Sequence, residues 1–314
     1  ATGGEIKTVF IQIRYIYLMP FWVFVGFAVL RDRVFVERIF FWLGVVVVLK
    51  SIQGIVIYFT NRAYFAEAEY LYEHFFSAYG VTSVFLFAYF FIRHKAIHMR
   101  LLNALCIVMI IFVLIVNDRR TSHAAVIFAL ISFLFLLPPE LMKRYGRFLI
   151  VSSLSFGALG VLSWPLPLGP GAIYRGLEDK PNNGPSYREL ENANIMREIA
   201  IAPIMGLGFG KEFAEVYPMP SVAAIYTRYR MIPHNTFLSS WCYGGPLTMA
   251  GLSLYFVFMF ATAGRLVSGA GMQGLRLIGV LCLVYFIQYF SYVFGDLGLQ
   301  VNRLELLGGL FLGA

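Results

Sequence analysis

Apolar positions along this chain fall into long unbroken runs, and polar positions gather in the links between them. The runs cover about 10–30, 39–59, 76–92, 101–117, 121–137, 148–165, 236–262 and 277–295, with a last one starting near 303. Each approaches the roughly 20 residues that a helix needs to cross a hydrocarbon core of about 30 Å. Strands of a membrane β-barrel would alternate apolar and polar positions, and these runs do not. The predicted fold is therefore all-α, a polytopic bundle of transmembrane helices.

Four of the links are basic, carrying Arg31, Arg33 and Arg38, then Arg93, Lys95 and Arg100, then Lys143, Arg144 and Arg147, then Arg265 and Arg276. The positive-inside rule puts these four in the cytoplasm. The links at 61–75, 117–121, 166–235 and 295–302 then face outward, and every span joins an inner link to an outer one. The chain so divides into transmembrane helices over 1–165, an outer loop over 166–235 and C-terminal transmembrane helices over 236–314. A loop of that length calls for a function. Pro165, Pro167, Pro170, Pro181 and Pro185 make its first part irregular, whereas 187–201 holds no Pro or Gly and predicts a helix that Pro203 ends. Gly206-Leu207-Gly208-Phe209-Gly210 reads as a turn packed near the membrane, because a phosphate-binding loop would follow a strand and precede Lys-Ser/Thr.

Composition narrows the class further. With 59% hydrophobic residues, 13% charged residues and a mean hydropathy of +0.73, the chain is no soluble domain, whose charged fraction is about a quarter. The net charge of +8 sits in the links, so topology accounts for it and no nucleic-acid partner is expected. Cys106, Cys242 and Cys282 stand singly in apolar segments and read as packing residues. The chain begins Ala1-Thr2-Gly3-Gly4 without a signal-peptide pattern and ends inside an apolar run. It is expected to be the central and C-terminal part of a longer protein.

Arginine is disfavoured in short outer turns, so the outward-facing ones need a reason to be there. Arg119 and Arg120 fill the 117–121 turn, Arg188 and Arg197 lie on the predicted loop helix, and His234 stands in Pro233-His234-Asn235 just before a span. Guanidinium forks match phosphate oxygens two by two, which makes a lipid-linked diphosphate a natural ligand. Nine residues at about 100° each set Arg188 and Arg197 on opposite faces. Arg188 groups with Glu191, Asn192 and Ile195 and is the preferred ligand residue; Arg197 groups with Leu190 and Ala193. An imidazole ordinarily titrates near neutrality and suits a general base taking a proton from a sugar hydroxyl. The competing reading of each arginine is a headgroup anchor, and of His234 an interfacial polar residue. His94 and His98 are spaced i,i+4 but lack a third metal ligand, and Lys50 and Gln53, inside a span, should face protein or water. Asp118, Glu191 and Asp296 stand singly on the outer side, so neither metal nor cofactor is expected.

The turn arginine, the arginine-bearing loop helix, Pro203-Ile204-Met205-Gly206-Leu207-Gly208-Phe209-Gly210, and Pro233-His234-Asn235-Thr236-Phe237-Leu238 with Tyr243-Gly244-Gly245 after it occur in an order that resembles the O-antigen ligase and O-antigen polymerase superfamily. The resemblance runs from about residue 101 to the C-terminus. It implies a multi-span glycosyltransferase, glycosyltransferase C-like in fold, in the bacterial inner membrane among membrane lipids. Such an enzyme takes a glycan from undecaprenyl diphosphate on the periplasmic side without metal. Ligases pass the glycan to lipid A core sugars and polymerases to another lipid-linked repeat. The family's turn arginine maps onto Arg120, with Arg119 the alternative one residue away, its loop-helix arginine onto Arg188 and its histidine onto His234. Glu191, Asn192, Arg197 and Asn235 stand beside these as candidate substrate contacts, with Glu191 a reserve base. Direct attack of the acceptor hydroxyl would invert the anomeric centre. The rival from another class is a transporter or flippase, with the same arginines recruiting an anion and Lys50 marking a path. Such proteins show inverted repeats and paired broken spans, and the sequence shows neither.

Overall fold

The computed structural model describes residues 6–29, 33–60, 74–117, 186–219, 229–268 and 273–295, with 306 and 308–310. Among these there is no strand. The described residues form seven helices: α1 (Ile6–Val29), α2 (Arg33–Thr60), α3 (His74–Arg93), α4 (Ile97–Val116), α5 (Tyr187–Ile201), α6 (Thr236–Ser268) and α7 (Gln273–Gly295). Val34–Thr60, Phe76–Arg93, Ile97–Val116 and Thr236–Ser268 are long and apolar enough to cross a membrane. The protein is an all-α polytopic membrane protein.

Five expected spans correspond to α1 to α4 and α7. α2 begins six residues before its apolar run, because helical hydrogen bonding continues through the polar Glu37 and Arg38 where hydropathy has already fallen. Lys50 lies on the exposed side of α2, where Nζ donates to Gln53 Oε1 one turn away at 2.9 Å. The runs at 121–137 and 148–165, and most of the last one from 303, fall outside the described residues.

The chain forms two compact units, one of 1–31, 180–262 and 289–314, the other of 32–179 and 263–288. In the second, α3 and α4 pack antiparallel beside α2. The bare backbone at Gly80 admits Leu114 and Ile110, and one turn away Asn117 Nδ2 donates to the buried Ser77 Oγ at 3.3 Å.

The first unit holds α5 and the departure from the expected span at 236–262. α6 is broken at Gly245, whose φ of 72° and ψ of −176° leave the helical region, and Pro246 follows without an N–H to rejoin the ladder. The rings of Phe237 and Phe256 lie 5.9 Å apart, yet nineteen residues of straight helix would separate their backbones by about 28 Å. The arms 236–244 and 246–268 therefore fold back on each other. Only the second, about 34 Å long, can span a bilayer. Apolar content cannot reveal such a break, since both arms carry apolar and aromatic residues.

Candidate active site

α5 starts where its sequence permits it to. Ser186 accepts the Glu189 N–H at 3.3 Å, and Glu189 Oε2 accepts the Ser186 N–H at 2.7 Å, closing a capping box. Ile195 and Ile199, one turn apart, bury against Phe213, Met219 and Cys242. Burial of each large apolar side chain contributes about 1.5–3 kcal/mol, enough to fix how the helix is rotated.

That rotation sends two polar side chains inward. Asn194 clips the 216–217 backbone: Oδ1 accepts the N–H groups of Val216 and Tyr217 at 2.9 and 2.8 Å, and Nδ2 donates to Tyr217 O at 2.9 Å. Glu191, wholly buried, meets His234. A buried carboxylate costs several kcal/mol unless its oxygens accept hydrogen bonds. Here Glu191 Oε2 accepts the His234 backbone N–H at 3.0 Å, and His234 Nδ1 lies 3.2 and 3.1 Å from Oε1 and Oε2. A carboxylate can only accept, so Nδ1 carries a proton, and in the neutral imidazole Nε2 is then the acceptor. The imidazole side chain keeps 22% of its surface exposed. The Tyr187 ring stands edge-on to it, centroids 5.7 Å apart. Burial, and after it the Glu191 charge, push the Tyr187 phenol far above its ordinary value, so it stays a neutral hydroxyl.

The strap 229–235 that carries His234 is held from several sides. Tyr243 Oη and the Phe213 N–H both donate to Arg230 O, at 2.8 and 3.0 Å, and the Arg230 guanidinium pairs with Glu212 at 2.7 Å. From α1, the buried Gln12 donates through Nε2 to Met231 O and accepts the Gly210 N–H through Oε1. The 206–210 turn lies against the break in α6 as a packed turn. Gly206, Gly208 and Gly210 all have positive φ, and the N–H groups of Leu207 and Gly208 cap Cys242 O and Tyr243 O at 2.6 and 3.0 Å. Those carbonyls end the first arm and would otherwise lack donors.

The remaining candidates fall as follows. Asn235 caps α6, its Oδ1 accepting the Leu238 N–H at 3.1 Å. Asn192 Oδ1, next to Glu191 in sequence, and Thr236 Oγ1, two residues after His234, are buried without a hydrogen-bond partner. Arg188 and Arg197 are both exposed on α5. Arg188 sits one turn before Glu191 and about 60° around the helix from it, Arg197 about 120° away. Arg119 and Arg120 lie outside the described residues. Sequence reasoning missed Gln12, Asn194 and the capping box, and each had a signal. Gln12 is an amide inside an apolar run, Ser186-Glu189 has capping-box spacing, and Glu191, Asn194 and Glu198 recur at helical period on what is the buried face.

No curated protein matches the chain. A family model described as O-antigen ligase matches residues 104–253, from within α4 through α5 and His234 to beyond the break in α6. Over this segment, somewhat under half of its length, the chain is similar to the O-antigen ligase family.

Proposed function

We propose that this protein transfers a glycan from undecaprenyl diphosphate to an acceptor hydroxyl on the periplasmic side of the inner membrane, as a ligase to lipid A core sugars or as a polymerase to a lipid-linked repeat. The observation that carries the reading is the buried Glu191 carboxylate gripping both the backbone N–H and Nδ1 of His234. A carboxylate that fixes one ring nitrogen as a donor and leaves the other as an acceptor is what a general base needs.

In the proposed step, His234 Nε2 takes the proton of the acceptor hydroxyl as its oxygen attacks the anomeric carbon. The bond from that carbon to the diphosphate breaks, and the diphosphate leaves with the electron pair. One displacement inverts the centre. Charge growing on the leaving group is met by Arg188, and from the 117–121 turn by Arg120 or its neighbour Arg119, with no metal required. Arg188 is preferred to Arg197 because it stands on the Glu191 flank of α5.

The test is turnover in proteoliposomes holding undecaprenyl-diphosphate glycan and an acceptor. His234→Ala, Arg188→Ala and Arg120→Ala should each lower the rate by about 10²-fold or more, and treatment with EDTA should not. Normal turnover in the His234 variant would remove the assigned base; transport of the donor without product would favour the transporter reading.

A further inference from the structure

α5 presents a second surface that the proposed chemistry does not use. Along its C-terminal half and into the following turn, Met196, Ile201, Ile204 and Met205 are exposed, the last three at 68%, 75% and 83%. Arg197, exposed as well, stands among them. Apolar side chains left this bare on a loop mark a surface that meets something apolar.

Their neighbour within the same compact unit shows what that is. The Trp241 Nε1–H donates to Pro203 O at 2.9 Å, and Ile204 O lies so close to Gly245 that no Cβ would fit there. The 203–205 turn thus sits at the head of the 246–268 arm of α6. That arm opens with Leu247, 85% exposed, and continues the bare apolar stripe through Leu254, Val257 and Phe258. A stripe of this kind on a membrane-crossing helix faces acyl chains. The loop residues extend it at its head, the level where hydrocarbon gives way to headgroups. Trp241 belongs to the side-chain class that gathers at this boundary, and a cation beside an apolar face is the composition of a helix lying in it.

We infer that 196–205 is a membrane-docking surface: Met196, Ile201, Ile204 and Met205 enter the boundary between headgroups and acyl chains of the bilayer that α6 spans, and Arg197 meets lipid phosphate. This inference is independent of the reaction assigned to His234.

Nitroxide labels on single cysteines introduced at Met205, Ile201, Leu254 and Glu212, in the whole protein reconstituted into phosphatidylglycerol-containing vesicles, provide the test. Power saturation compares collisions with oxygen, which dissolves in lipid, and with a neutral nickel chelate, which stays in water. Labels at 205 and 201 should favour oxygen several-fold, as the label at 254 does, while 212 favours nickel. Labels at 201 and 205 that behave like 212 would overturn the proposal. Quenching of a fluorophore at 205 by lipids brominated near the headgroup is the second measurement; quenching no stronger than at 212 would also overturn it.

Discussion

Replacing Glu191 with Gln changes almost no volume and removes one charge, so it isolates what the carboxylate does for His234. The amide has one oxygen and one NH₂ with which to meet the backbone N–H at 3.0 Å and Nδ1 at 3.1 Å. If the oxygen turned to the Oε1 position, which meets Nδ1 alone, the NH₂ would face the backbone N–H, donor against donor, at a site with no exposure. Leaving that N–H unpaired costs about 1–3 kcal/mol. The favoured arrangement has the oxygen on the backbone N–H and the NH₂ donating to Nδ1, which moves the ring proton to Nε2. A protonated Nε2 accepts nothing. The general-base contribution is lost, about 10²–10⁴ in kcat, or roughly 2.7–5.4 kcal/mol in the barrier. Because Glu191 is buried behind His234, KM should hardly move. Glu191→Asp keeps the charge but withdraws it by about 1.5 Å, the length of one C–C bond, and should fall between. The assay is single-turnover glycan transfer in proteoliposomes, with thermal unfolding in detergent as the check on folding. A folded Gln variant with wild-type kcat would refute the tautomer argument.

Gly245→Ala puts a side chain at φ 72° and ψ −176°, where strain alone costs about 1–3 kcal/mol, and drives its Cβ into Ile204 O. Its unfolding midpoint in detergent should drop by several degrees, and an unchanged midpoint would mean that the break is not built into the fold. Gln12→Leu strips the partner from Gly210 N–H and Met231 O, each worth about 1–3 kcal/mol when left buried; stability and kcat should fall together, and a loss of neither would show that α1 does not hold the His234 strap. Asn235→Asp keeps the cap and should keep turnover, whereas Asn235→Ala should destabilise by about 1 kcal/mol. A stable Asp variant with no activity would instead make Asn235 a ligand contact.

The fold class was legible because membrane burial writes itself into sequence as uninterrupted apolar length. The α5 boundaries were legible because 187–201 lacks breakers and Pro203 supplies one. The break in α6 was not, although Gly245-Pro246 is a strong local punctuation: the surrounding aromatic residues satisfy the hydropathy of one span as well as of two arms. His234 stood out as a lone imidazole at a span boundary. Its partner was harder to read, because pairing Glu191 with His234 depends on a contact between residues forty-three apart in sequence. The apolar residues at 195 and 199 turn Glu191 into the protein, toward His234.

The fold-back at Gly245 bears on how sidedness is inferred for such chains. Residues 236–244 extend only about 13 Å, less than half a hydrocarbon core, so they add no crossing of their own. Parity is therefore preserved: counting 236–268 as one traverse assigns every later link to the same compartment, even though the backbone reverses within it.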